Sequence, residues 1–368
     1  MSLLRRALVA GAALAALVPL AVPPVAAEPP GSPGAVYVLG NQPSGNQVLV
    51  FDRTAGGELS PAGAYDTGGL GTGGSLGSQG AVVLDRAARH LFAVNAGSGS
   101  VTSFAVRPGR LERLDVEASG GTMPTSVTVH GGLAYVLNAG AGGSIAGFTV
   151  ESGRLEAIAG STRALSGPAT APAQVSFPPD GSHLVVAERA TDRLVVFPVG
   201  ADGRPGAPTV VDSSGPTPFG FGFDNKGHLI VSEAFGGAPD ASSVSSYALT
   251  GDSLRVVSAS VSTTETAACW IAVTADGRYA YAGNAGTNSV TGYRVAPDGG
   301  LAILDADGRT ASAGAGVTDL AVSGNSRFLY GRLGNRTVAA WAIAADGSLH
   351  DLGATAGLPA GAAGIAAA

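Results

Sequence analysis

One short unit recurs seven times along this chain, and few folds can be built from such a repeat. Its centre is an apolar strand ending in a polar residue. "VYVLG", "LFAVN", "AYVLN", "LVVAE", "LIVSE", "AYAGN" and "LYGRL" align on Tyr37, Phe92, Tyr135, Val185, Ile230, Tyr281 and Tyr330, 43 to 55 residues apart. A loop and an aromatic-bearing strand follow each copy, from "QVLVFD" with Phe51 to "TVAAWAI" with Trp341. Most copies also have a strand before them, such as "PAQVSF" or "CWIAV", joined by turns of the "PDG" and "ADG" kind. A further strand closes each unit, as in "RLERLDV". No segment beyond the first thirty residues or so has useful helical periodicity.

Seven four-stranded units with a period near fifty residues predict an all-β, seven-bladed β-propeller. The chain enters the repeat at a second strand (Val36) and ends in "GAAGIAAA", which resembles the missing first strand of blade one. The ring is therefore expected to close by the C-terminal strand joining the N-terminal blade, which removes an exposed sheet edge.

The segment before the repeats has a different character. "MSLLRRALVAGAALAALVPLAVPPVAA" combines Arg5 and Arg6, an apolar run and a small-x-small ending at Ala27. That pattern predicts a signal peptide at 1–27, a propeller over 28–368 and a secreted protein. The twin arginine leaves both general export routes open. Removing 1–27 takes away two arginines and no acid, so the net charge of −6 becomes −8. An acidic surface argues against nucleic acid and anionic membranes as partners. No cofactor or metal is implied. A closed propeller requires nothing beyond a monomer. The single cysteine, Cys269, fits a small buried residue.

In a propeller the start of the first strand and the end of the second share one face with the channel entrance. Ligand chemistry belongs on that face. Its ring of strand-two ends is Gly40, Asn95, Asn138, Glu188, Glu233, Asn284 and Leu333. The asparagines read first as turn caps and second as binding groups. Glu188 and Glu233 read first as exposed loop carboxylates, and second as an acid–base pair with Arg189 nearby. Arg336 lies in a loop of the same face, and Phe219 and Trp270 lie near the channel entrance. His90, His183 and His228 fall at hairpin turns on the opposite face and do not converge on a metal. "GLGTGG" (69–74) and "GGSLG" (73–77) spell phosphate-loop and nucleophile-elbow patterns, but no helix follows. Both read as part of a mobile connection spanning 66–80.

The strands of the "PDGxxLyVxN…sVxvF" type resemble the seven-bladed lactonase family, which includes 6-phosphogluconolactonases and carboxy-muconate cyclases. The resemblance spans nearly all of the chain after residue 27. It implies lactone hydrolysis or cyclisation by His, Arg and Glu at the channel mouth. Position by position, the family's G-P-R-H reads Thr217-Pro218-Phe219-Gly220, so the arginine and histidine are replaced. Its N-E reads Ser232-Glu233, its D-R reads Asn284-Ala285, and its C-H reads Pro172-Ala173. Only Glu233 of that set remains. Two readings follow. The first is a secreted module that binds a small molecule or protein at its channel face through Asn95, Asn138, Asn284, Phe219, Trp270 and Arg336. The second is a lactonase or cyclase rearranged around Glu233, Glu188 and Arg189.

Overall fold

The computed structural model describes residues 33–368, so the expected signal segment lies outside the described residues. Seven antiparallel sheets make seven blades. Blade 4 is typical, running Pro172–Ser176, His183–Glu188, Arg193–Pro198 and Thr209–Asp212 from the channel outward. In blades 3 and 6 the outermost strand is broken into two short pieces. Among the described residues the helical content is one 3-10 turn, Phe235–Gly237.

Blade 1 is assembled from both ends of the chain. Gly34–Leu39, Gln47–Arg53 and Leu59–Asp66 are its outer three strands, and Ala363–Ala367 is the innermost. Val36 pairs with Ala367 and Val38 with Ile365. The buried Arg53 side chain donates to the Ala368 carbonyl from Nε and Nη2, which fixes the end of this strand. The closure expected from "GAAGIAAA" is the one observed.

Burial explains why the second strands are apolar throughout. His183–Glu188 is buried at every position after the first, because blades pack on both of its faces. The outermost strands are largely exposed, as in Ser253–Ser262, where only Leu254 is buried. The seven third-strand aromatics, Phe51, Phe104, Phe148, Phe197, Tyr247, Tyr293 and Trp341, are each at most 1% exposed. Each contributes about 2 kcal/mol or more by burial between blades.

The channel entrance has its own backbone signature. The first strand begins opposite the end of the second, as in Pro124 with Asn138, Pro172 with Glu188, Pro218 with Glu233, Ala268 with Asn284 and Val317 with Leu333. In all five of these blades the register shifts directly after that pair. Such a bulge leaves backbone groups without a ladder partner and re-aims the next side chains. Thr125, Ala173, Phe219, Gly220, Cys269 and Thr318 occupy these bulges, so the channel mouth is ringed by backbone groups that need partners.

Candidate functional site at the channel mouth

The connection over residues 66–80 meets that need. Ser78 Oγ donates to the Thr125 carbonyl at 2.8 Å, and the Gln79 amide N–H donates to the Ala173 carbonyl at 3.0 Å. The Gln79 side chain holds both backbone groups of Ile271. Its Nε2 donates to the carbonyl at 2.6 Å, and its Oε1 accepts the N–H at 3.1 Å. The Ser78 carbonyl accepts the indole N–H of Trp270 at 3.0 Å. The dipeptide Ser78-Gln79 thus ties blades 3, 4 and 6 together across the mouth. Farther back, the Gly71 and Gly73 amides bond the carbonyls of Gln42 and Asn41, and the Gly97 amide bonds that of Leu70. A Cβ on Gly71 would lie 2.1 Å from the Asn41 carbonyl carbon. The glycines here serve close backbone approach. The expectation of a mobile loop is corrected, because the segment is bonded along its length and seals the entrance.

Gly220 belongs to the same arrangement. A Cβ there would fall 2.0 Å from Gln79 Oε1 and 2.6 Å from the Cys269 carbonyl. The space that a side chain at position 220 would fill is occupied by Gln79. Gln174 repeats the device one blade earlier, bonding both the N–H and the carbonyl of Phe221.

The sequence-predicted residues divide around this seal. Arg189, Phe219 and Trp270 do come together. The Arg189 guanidinium stacks over Phe219 at 5.0 Å, and Phe219 meets Trp270 edge-on at 5.2 Å. Both rings are more than nine-tenths buried, and the Trp270 indole is bonded to the seal itself. Arg189 Nε donates to the Ala171 carbonyl, and burial lowers its pKa. Burial pushes the Cys269 thiol up to about 12, against the opposing pull of Arg189, so it is not a nucleophile near neutrality.

Glu188 and Glu233 are fully buried, which corrects their reading as exposed loop carboxylates. Glu188 accepts from the Ser166 amide at 2.9 Å, from Ser166 Oγ and from Thr191 Oγ1. Glu233 accepts from the Gly215 amide, Ser213, Ser243, Ser245 and Ser260. Among the described residues, no Lys, Arg or His pairs with either carboxylate. Ser166 and Gly215 belong to the linkers that bring the chain in from the preceding blade. The asparagines do the same job. Asn138 exchanges bonds with Ser119, and Asn95 accepts from Asn46 and donates to Ser100 and Thr102. Asn284 donates to Ser289 and Thr291, and Ser289 bonds Glu265 of the incoming linker. All three asparagines are fully buried. Asn138 holds its incoming linker directly and Asn284 does so through Ser289, while Asn95 holds Asn46 of a blade 1 loop, where turn capping was the expectation.

Two turn histidines pair with an acid of their own turn, His90 with Asp85 and His228 with Asp224, and His183 pairs with Asp252 of the next blade. Among the described residues no group of three or more His, Cys, Asp or Glu could hold a metal.

Sequence reasoning overlooked a second feature of this face. Arg336 lines a pocket of about 190 Å³ between blades 7 and 1, and the partly buried Arg332 lines it too. Arg332 interrupts the otherwise uncharged strand Phe328–Leu333, and Asp319 interrupts the inner strand Val317–Val322 opposite it. Charges inside buried strands are rare enough to have been a signal.

These features place the chain in the class of seven-bladed β-propellers. Residues 142–235 match the family model described as "Lactonase, 7-bladed beta-propeller". Among solved structures, the Pseudomonas aeruginosa periplasmic gluconolactonase aligns at 20% identity and TM-score 0.69, covering 91% of this chain and 98% of that one. A Bacteroides fragilis protein, provisionally named a 6-phosphogluconolactonase, aligns at 19% identity and TM-score 0.71, covering 90% and 97%. A Lactobacillus plantarum protein aligns at 16% and 0.71, covering 91% and 99%. No curated protein matches by sequence. The chain thus has the fold of the lactonase propellers, and over residues 142–235 it resembles them in sequence.

The seal can be tested on its own. Gln79→Ala removes both bonds to Ile271 and is expected to cost about 1–2 kcal/mol. It should also make Trp270 accessible to acrylamide, while Trp341, 1% exposed, stays protected. The chain has two tryptophans, so quenching of half the emission reads the opening directly. Unchanged quenching would mean that the mouth is held shut without Gln79.

Proposed function

We propose that this protein is an exported ligand-binding member of the lactonase propellers, without lactone hydrolase activity. The observation that carries this reading is the state of its acids. A hydrolytic carboxylate must reach a water or the substrate. Glu188 and Glu233 instead spend their oxygens on hydroxyl and amide donors, and among the described residues no Lys, Arg or His forms an ion pair with either, Arg193 beside Glu188 reaching only Ser166 Oγ. Ser78 and Gln79 fill the mouth above Phe219 and Trp270. Binding is left to the parts of the channel face that stay open. Export rests on the charged and apolar pattern of residues 1–27.

Lactone hydrolysis followed with δ-gluconolactone is the direct test. The protein lacking residues 1–27 is expected to leave the spontaneous rate unchanged. Turnover that Glu233→Gln abolishes, with the fold intact, would overturn the reading in favour of a rearranged lactonase. For export, N-terminal sequencing of protein recovered outside the cytoplasm should begin at Glu28. An intact Met1 on that material would refute cleavage.

A further inference from the structure

We infer that the pocket between blades 7 and 1 binds the carboxylate of a small organic acid, with Arg332 as its principal contact. This names the ligand class for the binding reading above and rests on it. The pocket lies on the channel face. Its walls are the bulge residue Thr318, the end of the second strand of blade 7, the linker that enters blade 1, and Ser75 of the sealing segment. The Arg332 guanidinium is fixed by Nη2 donating to the Thr318 carbonyl at 2.7 Å. Its buried Nε has no hydrogen-bond partner, and Asp319, opposite it in the inner strand, closes no ion pair with it. Arg336, in the loop just beyond, likewise has no acidic partner. Its backbone sits at φ 68°, a left-handed conformation that a non-glycine residue adopts at a cost.

Two guanidiniums that form no salt bridge therefore line one concavity in a chain with an excess of acids. A partly buried guanidinium whose only nearby acid, the buried Asp319 across the strand pair, closes no ion pair with it is costly, and an anion in the pocket offsets that cost. Guanidinium geometry suits the two oxygens of a carboxylate. Leu333, Leu358, Pro359 and Ala362 give the wall an apolar side, which suits a short carbon chain behind the head group. A volume of about 190 Å³ admits a molecule of a few carbons and no macromolecule.

The test uses the protein lacking residues 1–27 and isothermal titration with lactate, acetate and inorganic phosphate at constant ionic strength. Lactate is expected to saturate one site and acetate to compete with it. Arg332→Gln should weaken lactate at least tenfold. Arg336→Glu, a surface change that leaves the core intact, should weaken it severalfold. Circular dichroism and the unfolding midpoint check that each variant is folded, and Arg332→Lys serves as the folded alternative if glutamine is not tolerated. No saturable lactate binding, or equal binding by wild type and Arg336→Glu, overturns the site. Phosphate binding as tightly as lactate overturns the carboxylate assignment. Lactone turnover is measured separately, so failure of this site and failure of the non-hydrolytic reading are told apart.

Discussion

Glu233→Gln is expected to destabilise the propeller by about 3 kcal/mol, whatever it does to activity. The carboxylate accepts from one backbone amide and four serine hydroxyls. Glutamine can keep its oxygen toward the Gly215 amide, which cannot be turned round. Its NH₂ then faces Ser243 and Ser260, whose hydroxyls must reverse and give up the bonds they donate. Two bonds to a charged acceptor are lost, each worth about 1.5–3 kcal/mol, with partial recovery as the hydroxyls turn. Gly215 packs directly on this carboxylate, where a Cβ would lie 2.4 Å from Glu233 Oε2. The urea midpoint should fall at constant m-value. Glu188→Gln should fall less, since Glu188 has three donors. An unchanged midpoint for Glu233→Gln would remove the account of these acids as linker anchors and would return Glu233 to the catalytic candidates.

The fold was legible because strand, turn and aromatic signals repeat in step, and each copy supports the same reading. The site was less legible, for reasons that attach to particular residues. A glutamate closing a strand looks exposed when its own strand alone is considered. Its burial follows from the neighbouring strand, where "SVSSYAL" puts Ser243 and Ser245 on the carboxylate. The same code recurs as Ser100 and Thr102 beside Asn95, and as Ser289 and Thr291 beside Asn284. Hydroxyls at alternate positions of a third strand thus report a buried polar end on the second. The closure by 66–80 left no such trace. Its glycines suit a mobile loop and a close-packed one equally, and the partners of Gln79 lie 192 residues away. The sequence puts Arg189 beside Glu188, and Phe219 and Trp270 at the channel entrance; the stacking of the three on one another and the segment that covers them left no trace in it.

Asp319→Asn is expected to make stability less dependent on pH between about 4 and 7. Asp319 is buried in the inner strand of blade 7, and its Oδ2 has no hydrogen-bond partner. Burial raises its pKa from 3.8 to about 7, against the opposing pull of Arg332 and the Leu320 amide bond to Oδ1. In this window the folded protein holds a proton that the unfolded chain has released. Stability therefore falls as pH rises from about 4 and levels off above about 7. Asparagine carries no such proton, so its stability relative to wild type should improve by up to about 4 kcal/mol between pH 4 and pH 8, from a shift of about three units at 1.36 kcal/mol each. The lowered acids, Asp180, Glu265, Asp276 and Asp346 among them, act at lower pH and are common to both proteins. They cancel in the difference. Unfolding midpoints of the two proteins at pH 4, 6 and 8 measure the effect. Parallel curves would mean that Asp319 is ionised throughout, with Arg332 as its settled counter-ion, and the guanidinium would then have less charge to offer a ligand.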